Sequence, residues 1–310
     1  MAKSFNVITN ITNGAGLQRD YELVRDLLER AGHKVTGTMF NSPNPTFRRH
    51  DVNIFLEVVT PQWIQWAGEN WIVPNTEWWY PVWDPFLPRM NRVLCKTQDC
   101  LRHWQKKAGP HRCKFIGWEA KDFFCESISR RRAFLHLACN SENKGTVPIA
   151  MAWRYHKLPY PLYITGTKTE VIKACAGIPN VVHMQRAQCD MIIQLMNECA
   201  FYLAPTRYEG YGMAIHEAIG CGSVVATTNA PPMNEFNGIA RDLLIPVVAK
   251  NARLKAGAFF NEVDFNGVAA AVEKAAQLTD AQIADLSAQA RAAFLADRAF
   301  FREQFKEIIG

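Results

Sequence analysis

Twice along the chain, short apolar runs alternate with longer segments of helical spacing. That alternation constrains the fold more than any other feature, because parallel strands need a crossover helix between them. The first series opens with "FNVITNI" (residues 5–11), the turn Asn13-Gly14-Ala15-Gly16, and a helix carrying Leu17, Tyr21, Val24, Leu27 and Leu28. That helix stops at "AGH", with Gly32 just past its end, and the strand "KVTGTMF" follows. Further strands are predicted at "VNIFLEVV", "NWIVPNTE" and "RVLCKTQ".

A second series follows the basic stretch Arg130-Arg131-Arg132, with strands at "AFLHLA", "LYITG", "NVVHMQ", "FYLAPT" and "SVVATTN" and helices over residues 189–198 and 213–219. The expectation is an α/β protein of two Rossmann-like, doubly wound domains. Residues 1–128 form the first domain, 129–292 the second, and "DRAFFREQFKEIIG" supplies a closing amphipathic helix within 293–310. Thr279 with Gln282 three residues on reads as a capping box.

With 310 residues and 48% hydrophobic content, the chain has material for two cores, which excludes a largely disordered protein. The +6 balance of 35 basic against 29 acidic residues suits an anionic partner, a small phosphate as readily as a nucleic acid. Nine scattered cysteines, without a C-x-x-C pair or metal-ligand spacing, read as free thiols in a reducing compartment. No clustered acidic metal motif occurs, so no obligatory metal or other cofactor is expected. "MAKSFNVITNITNGAG" enters a strand without a leader pattern, and no apolar run approaches the roughly 18 residues that span a bilayer, so a cytoplasmic location is expected.

The chemistry concentrates in "APTRYEGYGMAIHEAIGCGSVVATTNAPPMNE". A strand, a glycine turn and a helix starting near Gly212 offer backbone amides to a phosphate. Glu209 precedes that anion site and Glu217 lies about one and a half turns into the helix, roughly 10 Å away. Carboxylates only accept hydrogen bonds, so they suit hydroxyl pairs rather than phosphates. A ligand with a diphosphate in its middle and a diol at each end, such as a nucleoside diphosphate sugar, satisfies both groups. A solvated loop glutamate and a glutamate on an ordinary helix face satisfy the spacing as well.

"PTRYEGYGMAIHEAIGCGSVVATT" resembles the E-x7-E signature of retaining glycosyltransferases of family 4, which have the GT-B fold, two Rossmann-like domains facing a central cleft. "FLHLACNSENKGTVPIAMAW" is similar to that family's first nucleotide-domain strand and lysine-glycine turn, "LYITG" to its second strand, and "TTNAPPMNE" to a variant of the loop after the signature helix. The likeness spans most of residues 130–240 and, more faintly, 1–35.

It implies that Glu217 holds ribose hydroxyls, Glu209 the donor-sugar hydroxyls, and Gly210, Tyr211, Gly212 and Met213 the diphosphate through their backbone. It also implies that Lys144 neutralises the phosphates and that the last helix crosses back to the first domain. Where the family commonly has an arginine about five residues before that lysine, this chain has Cys139 and Asn140. Arg186, Arg207, or the side chains of Asn140 and Ser141 are the candidate replacements. The co-substrate implied is a nucleotide diphosphate sugar, UDP-glucose first, with hexose transfer and retention.

In the first half, Gly14, Ala15 and Gly16 follow the first strand, where the resemblance places a loop facing donor phosphates and acceptor, and Arg19 stands close behind. Glu57 and Glu77 end presumed strands, on the edge where open α/β sheets bind ligands, and are candidate catalytic or acceptor-side groups beside Glu209 and Lys144. Carboxylates satisfied within the fold are the other reading of both. Trp63, Trp66, Trp71, Trp78, Trp79 and Trp83 crowd the same region, mostly as core, with one or two as stacking platforms.

Between residues 86 and 114, Arg89, Arg92, Lys96, Arg102, Lys106, Lys107, Arg112 and Lys114 face one acid, Asp99. Such a cluster follows a phosphate backbone or forms a solvated face. The acceptor is accordingly a hydroxymethylated pyrimidine in DNA or, alternatively, a saccharide or small hydroxyl compound. A non-catalytic binding protein of the same shape is the third reading.

Overall fold

The computed structural model describes residues 1–12, 14, 16–138, 141–236, 238–252 and 259–310. The described chain divides into two compact units, residues 1–119 with 298–310, and residues 120–252 with 259–297.

The first unit holds a six-stranded, wholly parallel sheet of order β2-β1-β3-β4-β5-β6. Its strands are β1 (Ser4–Thr9), β2 (Lys34–Met39), β3 (His50–Leu56), β4 (Ala67–Val73), β5 (Arg92–Cys95) and β6 (Cys113–Phe115). Two helices, α1 (Gly16–Arg30) and α2 (Gln98–Ala108), make crossovers, while β3 and β4 are joined by a 3₁₀ turn over Pro61–Trp66. The first strand stops at Thr9, two residues before the predicted end, and residues 11 and 12 turn instead.

The core joins Ile8, Phe55 and Ile72 to Trp79 and Trp104, whose rings meet edge-on at 4.5 Å. Trp63, Trp71 and Trp79 are buried, as expected of most of the tryptophans, while Trp78 is 38% exposed.

The second unit holds a five-stranded parallel sheet of order β11-β10-β7-β8-β9. These are β7 (Arg131–Leu137), β8 (Leu162–Thr165), β9 (Val181–Met184), β10 (Cys199–Ala204) and β11 (Val224–Thr227). Every residue of β10 is buried, which its uninterrupted apolar run "CAFYLA" permits for a strand covered on both faces.

Helices α3 (Thr146–His156), α4 (Thr169–Cys175), α5 (Cys189–Glu198) and α6 (Met213–Gly220) connect the strands, and α7 (Met233–Phe236) and α8 (Phe265–Gln277) follow. Strands β12 (Ala249–Ala252) and β13 (Phe259–Glu262) pair as an antiparallel ribbon that the sequence pattern did not announce.

The chain order puts the reversal of this sheet between β7 and β10: β8 and β9 extend it one way, β11 the other. Ligands of doubly wound sheets bind at that switch point, beyond the carboxyl ends of the strands.

The last helix, α9, runs unbroken from Asp280 to Ile309, longer than the predicted closing segment. Its start is the predicted capping box: Thr279 N donates to Gln282 Oε1 at 2.8 Å and Gln282 N to Thr279 Oγ1 at 3.2 Å. Thr279→Ala is expected to cost about 1 kcal/mol, read as a lower thermal midpoint with unchanged ligand binding. In the second unit, Arg291 of α9 pairs with Asp122 at 2.7 Å and donates to Gly220 O. In the first, Arg298 and Arg302 both grip the buried Glu119 at 2.6 and 2.7 Å.

Eight of the nine cysteines are free, and Cys139 lies outside the described residues. No described helix is long and apolar enough to cross a membrane. No group of metal-ligating side chains occurs among the described residues.

Candidate functional site

At the switch point of the second sheet, two loops are fastened to each other. The loop after β7 forms a 3₁₀ turn over Glu142–Lys144, which Ser141 caps by accepting from Asn143 N at 3.2 Å. The loop after β10 lies against it: Arg207 N and Thr206 Oγ1 both donate to Asn143 O, at 2.7 and 3.0 Å.

Gly145 makes that closeness possible. Its φ is +70°, and a Cβ built there would stand 2.0 Å from the Pro205 carbonyl oxygen. Beneath the loop, the fully buried His136 links Leu203 O and Thr146 Oγ1, both at 2.8 Å. Burial lowers its pKa to about 4, so it is a neutral strut at pH 7. Sequence reasoning missed His136, since a histidine inside a strand has no local signature of such a role.

The result is that Lys144 Nζ meets Glu209 Oε1 at 2.6 Å, with side chains only 22% and 10% exposed. Two residues 65 positions apart, both singled out for ligand chemistry, are thus brought to one point. Gly212, at φ +74°, ends the loop and caps α6, whose first residue is Met213. Gly210 is half-buried and Tyr211 buried.

The Tyr211 ring stacks on His216 at 4.0 Å and 10°, and His216, held neutral by burial with a pKa of about 4, bonds Gly212 O through Nδ1. These contacts fix the turn that presents the α6 N-terminus, and Glu217 is buried inside that helix at 4% exposure. A partly desolvated lysine, helix-start amides and two carboxylates form a set of groups that can hold a diphosphate flanked by hydroxyls.

The other candidates divide. Arg207 is engaged elsewhere: its Nε donates to Glu262 Oε1 at 2.8 Å, Nη2 bonds the same oxygen, and its guanidinium lies 4.2 Å above the Phe260 ring. β13 thus supplies both the ion-pair partner and the ring that hold Arg207. Arg186 is exposed in the loop after β9. Asn140 and Ala15 lie outside the described residues. Ser141 lines a cavity of about 470 Å³ with Thr146, Lys168, Pro205 and Arg207.

In the first unit, Gly14 at φ +65° is exposed, its N–H donates to Gln18 Oε1 at 2.9 Å, and Gly16 opens α1. A Cβ at either glycine would meet nothing within 4 Å. Glu57, immediately after β3, has a left-handed φ of +70°, a strained conformation for a residue other than glycine. Asn75, unmarked in the sequence reading, bridges both predicted acids: its Nδ2 donates to Glu57 Oε2 at 3.2 Å and to Glu77 Oε1 at 3.4 Å. Nearby, Lys96 pairs with the buried Asp20 at 2.6 Å, and Trp118 Nε1 donates to Asp20 at 2.8 Å.

Burial raises the Glu57 pKa above its ordinary value of 4.5, against the Asn75 hydrogen bond and Lys96. Between those two values the folded chain binds more protons than the unfolded one, so stability falls as pH rises through that window. Glu57→Gln removes the cost. Its thermal midpoint is expected to gain on the wild type as pH is raised from about 4 to about 7, and an unchanged difference would mean that Glu57 ionises like an exposed carboxyl.

The basic cluster of residues 86–114 is largely occupied within the unit. Arg92 lies 3.8 Å from Glu69 and over Trp71, Lys96 holds Asp20, and Arg102 stands 3.5 Å from Asp99. Lys107 holds Asp84 and Lys114 holds Glu307, at 2.7 and 2.8 Å, and Arg112 donates to Leu87 O. Only Asp99 of these acids lies inside the stretch, which is why the linear sequence shows an excess that the fold compensates. Arg89 and Lys106 are exposed.

Residues 140–281 match the family model Glycosyl transferases group 1, less than half of the chain but all of the loops just described except those of the first unit. No curated protein matches the sequence. Among solved structures, a glycosyltransferase from Rickettsia africae ESF-5 is similar at TM-score 0.72 and 12% identity, covering 99% of this chain and 97% of that one. A sucrose-phosphate synthase from Thermosynechococcus elongatus is similar at 0.70 and 12%, covering 99% and 98%. The Anabaena HepE protein in complex with UDP and glucose is similar at 0.65 and 14%, covering 99% of each. The chain therefore has the GT-B fold of two Rossmann-like units, and its second unit is the part that resembles the glycosyl transferases group 1 model.

Proposed function

We propose that the protein is a glycosyltransferase that moves a hexose from a uridine diphosphate sugar, glucose first, to an acceptor hydroxyl with retention. The observation that carries this reading is the Lys144–Glu209 pair at 2.6 Å beside the N-terminus of α6. Lys144 and the α6 amides take the diphosphate and stabilise it as it departs. Glu209 accepts from hydroxyls of the sugar, and Glu217 from those of the ribose. The acceptor oxygen bonds to the anomeric carbon as the bond to the diphosphate breaks, and the hydroxyl proton leaves with UDP. The complex of HepE with UDP and glucose supports the choice of donor, and the resemblance of "RYEGYGMAIHE" to the E-x7-E signature supports retention.

A hydroxymethylated pyrimidine in DNA is the weaker form of the acceptor reading, because the basic stretch that motivated it is mostly spent on ion pairs. The test is UDP release from UDP-glucose, with and without acceptors, alongside binding of the donor. Release with a hexose mass gain on an acceptor establishes transfer. Donor binding with no UDP release, in water or with any acceptor, would make the chain a binding protein of the same fold.

A further inference from the structure

Of the three consecutive arginines at the start of β7, two hold carboxylates: Arg131 pairs with Glu198 and Arg132 with Asp280, both at 2.7 Å. Arg130 is the exception. Its Nη1 donates to Cys199 O at 3.3 Å and its Nη2 to Cys221 O, so among the described residues two of its five N–H groups are used, both on carbonyls. Burial lowers its pKa below the ordinary value, and no carboxylate acts against that loss.

Arg130 lines a cavity of about 370 Å³ at the amino end of the second sheet, together with Arg291, Phe124, Ile128, Ala284 and Ala288. The two guanidiniums meet at the end of α6, since Arg291 donates to Gly220 O at 2.9 Å and Arg130 to the next carbonyl. Arg291 is balanced by Asp122 through bonds of 2.7 and 2.9 Å, and it lies 4.6 Å above the Phe124 ring. Glu126, the one acid lining the cavity, is exposed and pairs with neither arginine. The C-terminus of a helix carries roughly half a negative charge, too little to balance the whole charge of Arg130 at an end that Arg291 also reaches.

We propose that this cavity is a binding site for a small organic carboxylate, with Arg130 as its anchor. A guanidinium fork matches a carboxylate in shape, and the unused N–H groups can donate to its oxygens. One surplus positive charge calls for one negative charge, whereas a phosphate monoester brings nearly two. Phe124, Ile128 and the two alanines of α9 give an apolar wall for the rest of the ligand. Lys144 follows the carboxyl end of the strand that Arg130 precedes, so the two cations stand at opposite ends of β7 and serve different ligands.

The test is a ligand-observed NMR titration of the full chain at pH 8 with benzoate and, separately, phenyl phosphate, at constant ionic strength in chloride. Benzoate is expected to bind saturably, roughly tenfold more tightly than phenyl phosphate, and to keep its affinity when UDP is present. Arg130→Met is expected to abolish that binding. Arg130→Lys keeps the charge and a donor for the α6 carbonyls, so it folds even if the methionine variant does not, and it is expected to weaken benzoate roughly tenfold. No saturable binding of benzoate would overturn the site, as would equal binding by Arg130→Lys and the wild type. Benzoate displaced by UDP, or lost in Lys144→Ala, would place the anion at the diphosphate site instead and overturn it too. Phenyl phosphate bound as tightly as benzoate would overturn the choice of a carboxylate.

Discussion

Lys144→Ala is expected to lower kcat/KM for sugar transfer by roughly 10²- to 10³-fold, the loss typical when one preorganised group facing developing negative charge is removed. The fold is expected to survive the change, because Lys144 is partly exposed and pairs with the Glu209 carboxylate. Circular dichroism and the thermal midpoint are expected to stay near wild type while UDP release falls. Lys144→Arg restores part of the activity, since a guanidinium also binds phosphate, though from a different geometry. Activity unchanged in Lys144→Ala would mean that the diphosphate is held elsewhere, with Arg186 the next candidate in this unit.

The second large effect belongs to a residue with no side chain. Gly145→Ala forces a methyl group to within 2.0 Å of the Pro205 carbonyl oxygen in a left-handed conformation, so the two loops must part. A strained φ and a backbone clash together cost about 2–3 kcal/mol, or roughly 5–10 °C in the apparent thermal midpoint. Separation also breaks the bonds from Arg207 N and Thr206 Oγ1 to Asn143 O and moves Lys144 off Glu209, so UDP affinity falls with stability. Glu209→Gln, which leaves the loops joined, is the control expected to reduce transfer without that thermal loss. A Gly145→Ala protein with a wild-type melting curve would show that the loops are not locked as the structure indicates.

What the sequence revealed follows from what is local. The strand, glycine turn and helix of residues 199–220 are encoded by a continuous apolar run, a glycine in the left-handed region and helical spacing, all within one stretch. The crossover pattern gave both sheets for the same reason. The fate of charged side chains was not legible, because their partners come from distant elements. Arg207 reads as a free cation until Glu262, 55 residues on, is folded against it. Lys96 and Asp20 are 76 residues apart, so the basic stretch looks unbalanced in the chain and is mostly neutralised in the fold. Asn75 escaped for a related reason: its significance lies in bridging Glu57, which only the pairing of β3 with β4 brings near.

Glu57 shows both sides of this. Its place after an apolar run marked it as a strand-end carboxylate, while its left-handed backbone and shared amide are visible only in three dimensions. Histidines 136 and 216 are likewise silent in sequence. Their neutral, buried rings brace the two loops that carry Lys144 and the start of α6.

The most direct measurement of the central claim is a calorimetric titration of the full chain with UDP-glucose, for the wild type and for Glu217→Ala. The account predicts saturable one-to-one binding by the wild type and an affinity reduced roughly 10- to 100-fold in the variant, the loss of hydrogen bonds to a charged group. No saturable binding of UDP-glucose or of any other nucleotide sugar by the wild type, or equal affinity in the two proteins, would contradict it.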